Sequence, residues 1–579
     1  MFAQGVAAQV PAVVIISITP TVATVGSKRK VNFHATVTNS TNKNVTWSVN
    51  VGSISSTGVY TAPTVTTGTT ALVTVTSAAD TTKKALASVT VTPALKVNTL
   101  SIPGVTVNTS YSASVAASGG LPPYSWSVTS GSLPAGLALN SLTGVISGKP
   151  TQVGGFSFTL QVKDASAPTP QTANLTTVAN VQAVATAVQS SFFNMSVNLQ
   201  SSPWPTTMGA NLAGIRLLTA SMEWADMNPS ASVYDWSTFD IWMAKAQANG
   251  QDVLFTIYLT PAWASSNPSA LCSSQPGGCA PPNDLNADGT GTNQHFKNFV
   301  SALVKHAGAG KIKYLEIWNE ANITTEWNGT YAQIVRMVQD ASTVAKAIDP
   351  KILIGSPSET GDGTGLQMDW LAGFFAAGGG KYIDYISFHG YVWNAEDIGT
   401  RIDNLRVAAT TYGQSNKPVF DTEGSWGAFS KMTDADAEAA FTARHYLIQI
   451  AKQVNRFYYF GWDMHGTGDL YNYTTGKITL AGTAYKQIHQ WTVGAVPVGP
   501  CAATGTVWTC AFTRSNGYKS IAVWDTSQNC ASGICTTSLY AVPTEYLQYR
   551  DINGNLLTIT GTHTSIGAKP ILLENKSAW

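Results

Sequence analysis

Two glutamates stand just after short apolar runs, in Leu315-Glu316-Ile317-Trp318-Asn319-Glu320 and in Phe420-Asp421-Thr422-Glu423-Gly424-Ser425-Trp426. Either one alone reads as a solvated rim residue. Brought to one mouth, Glu320 and Glu423 form a carboxyl pair, the equipment for breaking a glycosidic bond. One carboxyl donates a proton to the leaving oxygen, and the other, ionised, attacks the anomeric carbon or activates water there. That chemistry requires no metal and no organic cofactor, so none is predicted.

The elements around these residues determine whether they meet. Between 190 and 497 short apolar strands alternate with amphipathic helices, the pattern of a parallel sheet. Strands are predicted at Phe192–Leu199, Ala213–Thr219, Asp252–Leu259, Ile312–Trp318, Ile352–Ser356, Tyr382–Phe388, Val419–Thr422 and Phe457–Trp462. Helices are predicted over Trp236–Asn249, Gln294–His306, Tyr331–Ile348 and Asp434–Gln453, among others. Eight strands in this length make a (β/α)8 TIM barrel, whose working groups sit at the carboxyl ends of its strands. An open doubly wound sheet is the alternative, but no glycine-rich phosphate loop opens a helix. In the barrel, Glu320 follows strand four and Glu423 ends strand seven, so both face one mouth.

Trp318-Asn319-Glu320 after strand four, with Glu423 after strand seven, resembles the signature of clan A glycoside hydrolases. The resemblance implies Glu320 as acid/base, Glu423 as nucleophile, Asn319 on the sugar 2-hydroxyl, and retention of anomeric configuration. It also implies lining roles for His389 and Tyr391 of Phe388-His389-Gly390-Tyr391 and for Arg216, although a buried His or Arg can equally be a satisfied core residue. Trp462 is a candidate platform for a sugar face, as are Trp426, Trp224 and Trp263. Within the clan, Tyr234-Asp235-Trp236 and the Glu316 to Asn322 run are similar to family 39, with families 5 and 30 as alternatives; Ala321 stands where family 39 members commonly carry Pro. Glu423 is expected to be held as an anion by Arg216 and Tyr391, and Glu320 to sit in a less polar, partly negative setting that keeps it protonated near neutral pH.

Asp284-Leu285-Asn286-Ala287-Asp288-Gly289 reproduces the first half of a calcium loop, with candidate ligands Asp284, Asn286 and Asp288. Position twelve is His295 rather than a bidentate Glu, and the other reading is a polar loop bordering the cleft. Asp463, His465 and Glu316 receive no role. Six cysteines fall as near pairs, Cys272/Cys279, Cys501/Cys510 and Cys530/Cys535, read as three local disulfides of an exported, secreted or cell-surface protein of bacterial type. The opening residues lack the basic and apolar regions of a complete secretory signal, which leaves a trimmed one open.

Of 579 residues only 11% are charged, under half the usual share of about 25%. With 33 Lys and Arg against 32 Asp and Glu, and no long run of either sign, there is no nucleic-acid footprint. The apolar run from Ala12 to Ile18 is far short of the ~20 residues of a membrane span. A monomer acting on carbohydrate is expected, and the low charge with 17 Trp favours a neutral polysaccharide.

Ahead of the barrel, after a tail of residues 1–12, segments 13–93 and 94–182 alternate Val, Thr and Ile with turn residues, the pattern of two β-sandwiches. They echo each other in Trp47-Ser48-Val49 and Trp126-Ser127-Val128, 79 residues apart. The first resembles bacterial immunoglobulin-like repeats. The second, with Thr143-Gly144-Val145-Ile146-Ser147-Gly148, looks like the immunoglobulin domains of bacterial surface and secreted proteins. Such modules are spacers in general, with sugar binding as the other reading. Residues 498–579 return to strands at Thr506–Thr513, Lys519–Asp525, Tyr546–Ile552, Leu556–Thr560 and Pro570–Glu574, a small C-terminal β-sandwich. Spacers ahead of a barrel favour endo action on polymer. A glycan-binding protein without catalysis and a transglycosylase using the same residues are the competing functions.

Overall fold

The computed structural model describes residues 12–99, 102, 104–167, 169–197, 203–208, 212–218, 221–361, 366–426, 432–463 and 468–576. The tail at 1–11, the predicted strand ends at Asn198, Leu199 and Thr219, and His465 lie outside the described residues. The chain divides into two compact units, Met1–Gln152 with Phe156–Ala179, and Val153–Gly155 with Asn180–Trp579.

In the first unit the alternating residues form two sandwiches. One pairs Val22–Gly26, Lys84–Thr92, Thr69–Ser77 and Val45–Val49 in one sheet and Lys30–Asn32, Val59–Thr61 and Ser53–Ile54 in another, around Phe33, Tyr60, Val73, Val75 and Val89. The other repeats the plan around Trp126, Ile146, Phe158, Leu160 and Val162. The sequence echo has a packing reason. Gly58 and Gly144 both hold positive φ, and a Cβ on either would come within 2.9 Å of Trp47 or Trp126 respectively, so each tryptophan packs against the glycine that precedes the second strand after its own.

In the second unit eight strands are all parallel: β1 Phe193–Ser196, β2 Gly214–Leu217, β3 Asp252–Ile257, β4 Tyr314–Ile317, β5 Leu353–Gly355, β6 Ile386–His389, β7 Val419–Gly424 and β8 Arg456–Tyr459. Their order is β5-β4-β3-β2-β1-β8-β7-β6, and a parallel bridge from Gly355 to Tyr385 joins the two ends into a barrel. Nearly every strand residue is buried, as expected of strands covered on both faces.

Helices α1 Ser237–Ala248, α2 Gln294–Ala307, α3 Tyr331–Ile348, α4 Asp369–Ala376, α5 Asp397–Thr411, α6 Ala435–Ala451 and α7 Leu480–Thr492 belong to the same unit. Their starts are encoded locally. Thr330 and Gln333 form a reciprocal capping box on α3, and Asp434 accepts the Asp436 and Ala437 N–H groups at the start of α6.

The barrel interior is layered with the two-residue period of its strands. Leu254, Tyr314, Tyr385, Phe420 and Tyr458 make an apolar and aromatic floor. Two residues further along their strands, Thr256, Glu316 and Thr422 form a polar layer with Arg216. The site stands above this floor.

After the barrel, Val496–Pro497, Ala502–Thr504, Val507–Thr513, Lys519–Asp525, Ile571–Glu574, Gln548–Arg550 and Leu556–Thr558 form an antiparallel sheet, beside the pair Thr537–Ala541 and His563–Gly567. Three disulfides close Cys272–Cys279, Cys501–Cys510 and Cys530–Cys535, and no described cysteine is free.

Candidate active site

Glu423 reaches the barrel mouth through a bulge. In simple alternation Thr422 and Glu423 would point to opposite faces, but the register of β7 slips against both neighbours, between Asp421 and Glu423 on β6 and between Asp421 and Gly424 on β8. The slip lets both side chains face inward. Thr422 donates to Glu316 Oε1 at 2.7 Å, and Glu423 meets Arg216 and Tyr391.

Glu320 is positioned by strained backbone. Trp318 at φ +81° and Glu320 at φ +44° occupy the left-handed region, which costs a non-glycine residue about 1–3 kcal/mol. The turn is pinned on both sides. Trp318 Nε1 donates to the Glu326 carbonyl at 2.8 Å, its ring meets Trp327 edge-on, and the Glu320 N–H donates to Ser358 Oγ at 3.2 Å.

The side chains then converge. One carboxylate oxygen each of Glu320 and Glu423 and one ring nitrogen of His389 lie within 4.8 Å of one another. Arg216, fully buried, donates through Nη1 to Glu423 at 2.5 Å, through Nη2 to Glu316 at 2.9 Å and to Asn319 Oδ1 at 2.8 Å. Tyr391 OH donates to the other Glu423 oxygen at 2.8 Å. His389 Nδ1 bonds Glu320 Oε1 at 2.9 Å, while its Nε2 lies 3.8 Å from Glu423 Oε2. The structure therefore brings Glu320, Glu423, Asn319, Arg216, His389 and Tyr391 into one constellation.

The electrostatics depart from expectation at Glu320. Burial pushes its carboxyl up, but the hydrogen bond and charge of His389, with Thr360 and Arg216 behind them, outweigh burial and leave it below the usual range. Burial opposes the charge on His389, yet Glu423 and Glu320 together raise it. The proton of this pair therefore rests on the imidazole in the free protein; Glu320 is buried and close to Glu423, as expected, but His389 outweighs that setting. Burial and the Glu423 charge hold the Tyr391 hydroxyl well above its ordinary value, so it stays a donor to Glu423.

Three corrections concern the predicted sugar platforms Trp462, Trp224 and Trp426. Trp462 is fully buried, donates to the Pro203 carbonyl at 2.7 Å and stacks on Tyr471, so it offers no sugar platform. The half-buried aromatic at that strand end is Phe460, whose ring meets Tyr391 edge-on at 6.4 Å. Trp224 is core, stacked on Phe299, and Trp426 is 2% exposed beside Tyr459. Trp263 is half-buried, donates to the Asn228 carbonyl and packs on His295. In the calcium-like loop the side chains serve the loop itself. Asp284 Oδ2 accepts the Gln294 and His295 N–H groups at the start of α2, Asp288 accepts from Thr290, and Asn286 donates to Thr290.

Other residues were not singled out from the sequence. Glu316, left without a role, anchors Arg216 and accepts from Thr256 and Thr422. Asp421, fully buried, accepts the N–H groups of Gly390 and Glu423 and the Gln449 amide, which ties the loop carrying Tyr391 to the strand carrying Glu423. Burial pushes Asp421 up to about 8. Glu326 is raised by burial and by the nearby Glu320 and Glu423 charges, and Glu223, bonded by Tyr258 at 3.0 Å, is pushed up to about 7 by burial and Asp226. Glu316 and Asp421 lie within β4 and β7, and Glu223 and Glu326 follow β2 and β4 in the chain, so acidic residues on or after barrel strands were the available signal.

Residues 289–485 match the family model described as "Glycosyl hydrolase catalytic core", and residues 93–179 the one described as "Putative Ig domain". The chain thus carries a glycosyl hydrolase catalytic core and is an enzyme of that class. Solved structures similar to it include a family 39 glycoside hydrolase from Bacteroides cellulosilyticus, 15% identical over 83% of this chain and 99% of that one, with a TM-score of 0.48. A glucosidase from Croceicoccus marinus is 15% identical over 68% and 97%, TM-score 0.45, and a family 30 subfamily 8 xylanase from Clostridium acetobutylicum 14% over 67% and 97%, TM-score 0.45. No curated protein matches the chain.

Proposed function

We propose that this enzyme is a retaining glycoside hydrolase that cleaves β-glycosidic bonds of a neutral polysaccharide from within the chain, with Glu423 as nucleophile and Glu320 as acid/base. The observation that carries the reading is the approach of the two carboxylates to within 4.8 Å. Carboxyls ~5 Å apart leave no room for an attacking water between sugar and base, whereas inverting pairs stand ~6.5–9.5 Å apart.

Arg216 and Tyr391 each hold one oxygen of Glu423, which aims it. The proton shared by His389 and Glu320 moves to Glu320 as the leaving oxygen approaches it, and passes to that oxygen while Glu423 attacks the anomeric carbon. Esterification removes the Glu423 charge. Glu320 then accepts a proton from the incoming water, whose oxygen attacks the anomeric carbon, breaks its bond to Glu423 and frees the sugar with its original configuration. Asn319, held through Oδ1 by Arg216, has its amide N–H groups left for the sugar 2-hydroxyl.

Three disulfides support an exported enzyme. No helix among the described residues is long and apolar enough to cross a membrane. The working division is 13–93 and 94–182 as spacer modules, 190–497 as the catalytic barrel and 498–579 as its companion, acting as a monomer. The test is product analysis by mass spectrometry on plant, fungal and bacterial polysaccharides, with Glu320→Gln and Glu423→Gln beside the wild type. Oligosaccharide series from the wild type alone are expected. Equal products from all three proteins would remove both assignments.

A further inference from the structure

A second cavity, of about 460 Å³, lies where the loop after β6 and helix α6 meet the C-terminal sheet. That volume falls within the ~300–1,000 Å³ of small-ligand pockets. Its wall carries Trp508, with Asn394, Asp397, Arg444, Gln528 and Asn529 around it. We propose that it is an accessory subsite for a neutral oligosaccharide segment, separate from the catalytic carboxylates; the choice of ligand rests on the proposed glycosidase reading.

The aromatic wall is supported from behind. Trp524 is fully buried and stacks on the half-buried Trp508, ring centroids 6.0 Å apart and planes 9° apart, which covers one side of the Trp508 indole. Trp524 Nε1 donates to Glu396 Oε1 at 2.8 Å, and Arg444 Nη1 donates to the same oxygen at 3.2 Å. Trp508 is thus backed by a ring that is itself tied to Glu396 and Arg444. A flat indole offers a face to the axial C–H groups of a pyranose, and side-chain amides match its hydroxyl edge.

The walls are also fastened to one another. The Cys530–Cys535 disulfide closes the hairpin bearing Cys530, the Gly533 N–H donates to Asp434 at the start of α6, and Lys569 pairs with Asp436 at 2.5 Å. A cavity held this way is pre-formed, so binding need not order its residues.

Charge narrows the ligand. Arg444 is paired with Glu396, and Asp397 adds a further carboxylate to the wall, so among the described residues the site shows no cluster of cations of the kind a phosphate or uronate would need. Position matters too. Asn394 lies in the loop after β6 that also carries Tyr391, the residue that holds Glu423, and Asp397 opens α5 behind that loop, which places the cavity toward the catalytic end of the barrel. A site there suits a long polymer better than a short one.

The test is affinity electrophoresis of the full chain in gels containing arabinoxylan, mixed-linkage β-glucan or galactomannan. Glu423→Gln, Glu423→Gln with Trp508→Ala, and Glu423→Gln with Gln528→Ala and Asn529→Ala are run side by side, and thermal midpoints confirm folding. We expect at least one polymer to retard Glu423→Gln, and Trp508→Ala to weaken that retardation about 2- to 12-fold, the worth of one stacked aromatic. The amide variant is expected to weaken it less. Trp508→Ala alone should keep the wild-type rate on a short oligosaccharide released from that polymer. No retardation by any polymer, or retardation untouched by both sets of substitutions, overturns the proposal. Trp508-dependent binding without cleavage by the wild type would leave the subsite standing and remove the glycosidase reading. Cleavage with Trp508-independent binding would remove the subsite alone.

Discussion

Two sets of buried carboxylates in this chain have opposite designs. In the second sandwich, Asp164 is 4% exposed and accepts from the Leu121, Ser166 and Gln171 N–H groups, the Ser166 hydroxyl and the Gln171 amide, all uncharged donors. Burial raises its carboxyl, but those bonds outweigh burial and leave it below the usual range. Among the described residues none of the donors given for it also serves another carboxylate. In the barrel, Glu316, Glu320 and Glu423 crowd around Arg216 and His389, and donors are shared between acids. A satisfied buried carboxylate holds a turn in place. Carboxylates held together against their repulsion, with a proton that two groups can carry, are equipped to react.

The sharpest way to break the contrast is to remove the cation that the acids share. Arg216→Met leaves Glu316 and Glu423 buried without the cation they share, and should lower stability by about 3–5 kcal/mol, read by denaturant unfolding. No comparable loss is expected from any single uncharged donor of Asp164.

Asp421→Asn should come next. It keeps the shape but sets an amide donor against one of the N–H groups of Gly390, Glu423 or Gln449, which loosens the tie between Tyr391 and Glu423. We expect kcat to fall about 10- to 100-fold with KM little changed, a split that a merely destabilised protein would not give.

Asp164→Asn should cost about 1–3 kcal/mol at pH 7 and leave activity unchanged. Because the folded carboxyl lies below its unfolded value of about 3.9, its contribution is present above that pH and is lost as pH falls through the folded pKa. The gap between wild type and variant in scanning calorimetry should therefore close in acid. A gap that stays constant with pH would mean that shape, and not charge, is what Asp164 supplies.

The smallest effect concerns His389. The pair loses its proton only above the ordinary histidine value, because His389 is raised. His389→Gln leaves the proton on Glu320 alone, so the basic limb of kcat/KM should move to lower pH. An unmoved limb would take His389 out of the proton path.

Much of this was legible in the sequence. Eight apolar runs and two strand-end glutamates led to the barrel and its mouth, and three close cysteine pairs to the disulfides. The aromatic platforms were not legible, because a tryptophan at a strand end can turn to the core as readily as to the cleft. Trp224, Trp426 and Trp462 turned inward, and Phe460 stands where Trp462 was expected. The bulge at Thr422 and Glu423 and the tie made by Asp421 depend on register between strands far apart in the chain, which local patterning does not carry. The state of Glu320 depends on His389, 69 residues away.

The central claim is that two carboxylates within 4.8 Å work by double displacement. Its most direct test is proton NMR of the first product formed from whichever polymer of the panel is cleaved, recorded before mutarotation. The account predicts that the β-anomer appears first and converts slowly. An α-anomer appearing first would mean inversion, and would contradict the roles given to Glu423 and Glu320.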